Sequence, residues 1–316
     1  MGRGLLVFVV GAWLKLTVEF HKHARRARKL TGWHTFALVA LVFTIALSVQ
    51  CHQAGHAASV AAPPHMVEFV PTAAIVSDVV DRNEQLARTD PLGFLQLCLD
   101  HHNADVRDYR CTFTKRESIS GEVLPAQVVD VRHRQEPFSV DMTFVKNVRE
   151  CKRALYVAGE WLDDDGNELA WAKPGGAILR TFLPRVKQPI HGRRAEKASR
   201  RGIDQFGFRR SLELILQYSR KAEAEGKLSF EYTGHGTIGG RPTYVFRRLL
   251  PYTGDERDYP DRLLILHVDQ EHMVPTACYC FADDLGQDML GTYVYTDLRL
   301  NPGYTAADFD PNEISF

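Results

Sequence analysis

The sequence predicts a mainly β protein of the α+β class, a single curved antiparallel sheet or half-open barrel of about 11 strands wrapping a few helices. Three observations carry this. From Tyr109 onward, apolar and polar residues alternate with period two in short runs. Helical periodicity is confined to three stretches, and no domain-sized linker interrupts residues 90–316. A sheet of that size must curl to bury its apolar face.

The N-terminal segment sets the location. Residues 1–50 contain seven Lys/Arg and one Glu, so with a total net charge of zero the remainder carries −6. An acidic body argues against a nucleic-acid binder, whose affinity comes from neutralising phosphates. The run from Phe36 to Val49 has no charge and follows the basic stretch His21–Lys29. This is the pattern of an export signal with its basic side left in the cytoplasm. Counted from Trp33 to Val49 the apolar run spans 17 residues, near the lower limit of the ~20 that cross a bilayer. Both a cleaved signal peptide and a retained anchor fit. We therefore divide the chain into 1–57 (basic region plus signal peptide or membrane anchor), 58–71 (an Ala/Pro-rich linker) and 72–316 (an exported β-rich domain). Its expected location is the periplasmic side of the cell envelope, soluble or tethered through 33–49. Cys51 follows poor residues for a lipidation site, and Leu5–Val18 is a second apolar stretch broken by Lys15.

Within the body, 72–86 and 90–101 read as helices. Asp90 is placed to cap the second and Pro91 suits its first position. Strands are expected around 109–114, 129–132, 138–144, 153–157, 168–173 and 178–183. The acidic turn Asp163-Asp164-Asp165-Gly166-Asn167 joins two of them; it lacks calcium-loop spacing and reads as a hairpin turn. A helix over 208–225 stops at Gly226. Five more strands follow, at 227–234, 242–248, 262–269, 276–281 and 290–299. Beyond Cys51 five cysteines remain, an odd number that leaves room for one or two disulfides. Cys278 and Cys280 fall on one face of a strand, as small buried hydrophobes.

Two blocks resemble a known family. Tyr109-Arg110-Cys111-Thr112-Phe113-Thr114-Lys115-Arg116-Glu117, with Gly121 and Pro137-Phe138-Ser139-Val140, forms the first. Arg200-Arg201-Gly202-Ile203-Asp204-Gln205-Phe206-Gly207-Phe208 forms the second. Both are similar to a bacterial exported family catalogued as domain of unknown function 1571, which is distantly similar to the outer-membrane lipoprotein-sorting carriers of LolA/LolB-like fold. Arg201 stands where the family pattern has a His. The resemblance implies a LolA-like half-open barrel around helices, with an apolar cavity for an acyl chain.

The expected function is a cell-envelope binding or carrier protein for a lipid, a lipoprotein acyl chain or another apolar ligand. The ligand would lie against Phe113, Val129, Val131, Phe138, Val140, Met142, Phe144, Tyr244 and Phe246, and each buried methylene would contribute ~0.8 kcal/mol. The same stripes would equally serve as packed core. A basic cluster, in which we single out Arg200, Arg201, Arg209 and Arg210, is the expected contact for an anionic partner. The alternative is an envelope structural or protein-interaction module without a ligand. No Gly-x-Ser-x-Gly, His-Glu-x-x-His, phosphate-loop or zinc spacing is present, so an enzyme, a cofactor and a metal are not expected, a hydrolase built from distant residues is the least favoured alternative, and the sequence does not identify a protein partner.

Overall fold

Two helices open the folded part: α1 (Arg82–Thr89) and α2 (Pro91–Asp105). The computed structural model describes residues 82–176, 184–314 and 316, all within one unit spanning 69–316. The predicted stretches 72–81 and 178–183 and the apolar segment 33–49 lie outside these residues. Asp90 caps α2 as predicted, its Oδ1 accepting from the Gly93 N–H at 2.8 Å. That satisfies a donor which the helix start would otherwise leave orphaned.

Strands β1 (Asp108–Ile119), β2 (Glu122–Val123), β3 (Gln127–Arg134), β4 (Ser139–Lys146), β5 (Cys151–Val157), β6 (Leu169–Pro174) and β7 (Val186–Pro189) follow. The short α3 (Arg193–Ala198) and the long α4 (Phe208–Ala224) lead to β8 (Ser229–Ile238), β9 (Arg241–Leu249), β10 (Leu263–Asp269), β11 (Pro275–Phe281) and β12 (Met289–Leu300). The spatial order is β7-β6-β5-β4-β3-β1-β12-β11-β10-β9-β8, antiparallel throughout, with β2 a stub on β1. Each half is a meander, and β1 joins them by pairing β3 on one side and β12 on the other. The edges β7 and β8 do not pair, so the sheet is open. The basic stretch between β6 and α4 contains β7 and α3.

Because the chain leaves the sheet at one edge and re-enters at the other, the connection carrying α3 and α4 crosses one face. Gly207 starts α4 at φ +109, and a Cβ there would stand 2.7 Å from the Tyr109 hydroxyl, so only glycine fits. Gly226 ends the helix at φ +66, with the Lys227 N–H bonded to Ala222 O at 2.8 Å, a Schellman closure.

The two halves of this inner face are filled differently. Over β9–β11 the helices pack solidly: Phe94, Leu95 and Cys98 of α2 and Leu212, Ile215 and Leu216 of α4 meet Tyr244, Phe246, Leu264 and Leu266. The Phe94 ring centroid is 5.2 Å from Tyr244 and 5.1 Å from Phe246. Over β1–β6, among the described residues, Ile190 and the 203–208 segment lie against Phe113, Val129, Val131, Val140 and Tyr156. The outer face there is covered by the C-terminal segment, where Leu155, Val157 and Trp171 pack with Phe309. Buried Asp141 accepts from Arg153 at 2.7 and 2.8 Å and from Arg132 at 3.0 Å on the same side.

None of the five described cysteines is in a disulfide. Cys98, Cys111 and Cys278 are buried singly as apolar groups. The 163–167 turn satisfies itself, since Asp163 Oδ1 accepts from the Asp165 and Asn167 N–H groups at 3.0 and 2.8 Å. Among the described residues no helix is long and apolar enough to cross a membrane.

Candidate ligand-binding cavity

The less filled half of the inner face encloses a cavity of about 1340 Å³. Its lining runs from Val186 and Gln188 of β7 to Arg248 of β9, and the covering residues include Ile203, Phe206 and Leu214. Neighbouring strands lie about 4.8 Å apart, so a sheet that meets one cavity from edge to near-edge must curl around it.

The β1–β6 wall is apolar. Phe113, Val129, Phe138, Met142 and Phe144 line it, together with Tyr156 and small residues at Ala154, Ala170 and Ala172. Ala154 and Ala172 are opposite one another across β5 and β6. Small side chains at facing positions leave the volume that larger ones would occupy. Of the other residues expected at a ligand, Val131 and Val140 belong to the same apolar cluster but are not part of the cavity lining. Tyr244 and Phe246 sit in the filled half under Phe94.

The wall towards β12 and β9 is polar and internally paired. Lys115 Nζ lies 2.8 Å from Glu117 Oε2 and 2.9 Å from Ser199 Oγ. Glu117 Oε1 accepts from Ser199 Oγ at 3.1 Å, from the Tyr293 hydroxyl at 3.0 Å and from the Arg200 N–H at 3.3 Å. Deeper in, the Arg248 Nη2 donates to both Asp261 oxygens at 3.0 and 3.1 Å, and its Nη1 donates to Ser219 Oγ at 3.3 Å. Both pairs are nearly solvent-free. Such pairs are tolerated in an interior when their remaining hydrogen-bonding capacity is met. Burial also raises the pKa of Tyr293 well above its usual value and pushes the Cys278 thiol up to about 12, so neither group ionises at neutral pH.

The four arginines singled out from the sequence differ in their surroundings. Arg200 points inward and donates from Nε to Glu256 at 3.0 Å and from Nη2 to Pro260 O at 3.1 Å. Arg209 and Arg210 share Glu213, each at 2.9 Å, and Arg210 also stands 6.0 Å above the Phe138 ring at the cavity. Arg201 is half-buried at the cavity wall. The charged members of the polar wall were missed in the sequence, although a signal existed. Lys115 and Glu117 continue the alternation of Cys111 and Phe113, and Arg248 that of Tyr244 and Phe246. Charges in an apolar phase mark a polar lining.

The site is defined by an open antiparallel sheet, packed on both faces, with a cavity on its helix-bearing face. Residues 106–316 match the model of a family described as proteins of unknown function, DUF1571, and the chain belongs to that family. No curated protein matches the sequence. Among solved structures the chain is similar to a DUF1329 family protein from Desulfovibrio piger, at 11% identity over 71% of this chain and 99% of that one, TM-score 0.36. It is also similar to the Mycobacterium tuberculosis lipoprotein LppX (12%, covering 70% and 100%, TM-score 0.36). A third neighbour is a putative outer membrane lipoprotein-sorting protein domain from Vibrio parahaemolyticus (13%, covering 69% and 96%, TM-score 0.33).

Proposed function

We propose that the protein is a cell-envelope binding protein that holds a lipid-like ligand in the cavity between β1–β6 and the 199–206 segment. The observation that carries this reading is the contrast between the two halves of one inner face. Helices α2 and α4 bury Tyr244 and Phe246 in one half, while over β1–β6 about 1340 Å³ remains beside an apolar wall, with Ile215 and Leu264 at the border between the two. That volume exceeds the ~300–1,000 Å³ of ordinary small-molecule pockets and suits a long flexible chain. Within the Lys115–Glu117 and Arg248–Asp261 pairs at its far end the charges neutralise each other, and acyl burial on the apolar part contributes ~0.8 kcal/mol per methylene. The basic run before residues 33–49 supports delivery to the periplasmic side. Binding, with no chemical conversion, is the role this geometry supports.

Native mass spectrometry with lipid extraction tests this on the full chain recovered from the envelope of a producing cell. A bound lipid should accompany the wild-type protein and be lost in Phe144→Asp, which places a charge on the wall, and in Ala172→Trp, which fills the space. A wild-type protein that carries none, and takes up none when acylated ligands are offered, would refute the proposal.

A further inference from the structure

Resting on that reading, we infer that the ligand is anionic: a single-chain amphiphile whose terminal carboxylate or phosphate pairs with Arg201 while its chain lies along Phe113, Phe138, Met142 and Phe144. Along the inner wall Lys115 has Glu117, Arg200 has Glu256, Arg248 has Asp261, and Arg210 has Glu213. Asp204, on the same segment as Arg201, lies 3.3 Å from His191 Nε2. Arg201 lines the same cavity, is half-buried, and has no hydrogen-bond or ion-pair partner among the described residues.

A guanidinium facing a confined, largely apolar space has lost part of its hydration and gained no counter-ion. An acid group entering that space completes it with charge-assisted, bidentate bonds, for which the planar arginine fork is suited. Exposed Arg194 and Lys197 and half-buried Arg149 add positive charge to the lining, and Glu122, Glu150, Glu168 and Asp204 add negative charge; the acid group is assigned to Arg201 because it directly follows Arg200, whose N–H bonds Glu117 in the polar wall. The apolar wall begins at Phe113, two residues along β1 from Lys115, so an acid group at Arg201 and a chain on the β3–β6 wall fit within one cavity.

The test is titration of the delipidated full chain with oleate, oleoyl lysophosphatidic acid and methyl oleate. The wild type should bind at least one of the two acids about tenfold or more tightly than methyl oleate, a difference of ~1.4 kcal/mol; which acid is preferred separates a carboxylate from a phosphate source. Arg201→Gln should erase the preference by bringing the affinity for the acids down to that for methyl oleate, and Arg201→Lys should keep part of it. Equal wild-type affinity for acids and ester, or a preference that survives Arg201→Gln, would overturn the inference and leave lipid binding standing. No binding of any of the three would overturn both.

Discussion

The imidazole of His133 stacks on the phenol ring of Tyr109, with centroids 4.6 Å apart and planes 16° from parallel. Phe208, the first residue of α4, closes the other contact on Tyr109 at 4.5 Å, and Phe138 at the cavity wall meets His133 edge-on at 5.0 Å. This aromatic stack ties the central strand β1 to the helix that crosses the sheet. It also forms the back of the cavity wall.

Burial holds His133 neutral, with its pKa pushed down to about 3, and does the same to His102 and His267, each to about 4. In the unfolded chain these rings take up a proton near pH 6.5. Their contribution to stability is therefore complete above about pH 6.5 and is lost as the pH falls towards the folded values, at about 1.4 kcal/mol per pH unit for each ring. Urea unfolding at pH 6.5 and pH 5 should show a loss of about 2 kcal/mol per buried histidine, and His133→Phe should flatten the dependence. Equal stability at the two values would contradict the burial of these rings as neutral groups.

The Lys115–Glu117 pair should behave as an interior ion pair. Lys115→Met leaves Glu117 buried with its main counter-ion gone and should destabilise the fold by ~3–5 kcal/mol. The double variant with Glu117→Gln should recover much of that loss in denaturant titrations. A single-variant cost below about 1 kcal/mol, the range of exposed pairs, would mean that the pair is solvated.

The two halves of the inner face should also differ in their tolerance of truncation. Phe94 is fully buried between Tyr244 and Phe246, and Phe94→Ala should cost about 3–5 kcal/mol. Phe144 already borders empty space, and Phe144→Ala should cost roughly 1 kcal/mol or less. Comparable losses at both sites would indicate that the cavity is packed shut.

The thiols give an independent check. Burial raises the pKa of Cys98, Cys111, Cys278 and Cys280, and holds half-buried Cys151 at about 11. Iodoacetamide at pH 8 should leave these five unmodified in the folded protein and label them all after unfolding without reductant. Fewer than five labelled would reveal a disulfide that the fold does not contain.

Much of the fold was legible because strand alternation and helix punctuation are local signals. Asp90-Pro91 marked the start of α2, Gly226 the end of α4, and the runs from Tyr109, Val129 and Phe138 marked β1, β3 and β4. The β7 strand was not legible, since Val186–Pro189 is short, carries Lys187, and owes its conformation to pairing with β6. The candidate site was legible in part. Alternation told which residues share a face, and Phe113, Val129, Phe138, Met142 and Phe144 of that face line the cavity. It does not tell which part of that face a helix covers. That depends on where the 190–226 crossing lies, which is why Tyr244 and Phe246 are under α2 while Phe144 borders the cavity. The alanines at 154 and 172 carry no sequence signal of their own and acquire meaning only across the β5–β6 pairing.

The most direct measurement of the central claim is the anomalous scattering of a fatty acid brominated along its chain, in crystals of the protein. We predict bromine peaks inside the cavity, against Met142, Phe144 and Ala172. Peaks confined to the outer surface, or none in a crystal whose cavity is closed by side chains, would contradict the account.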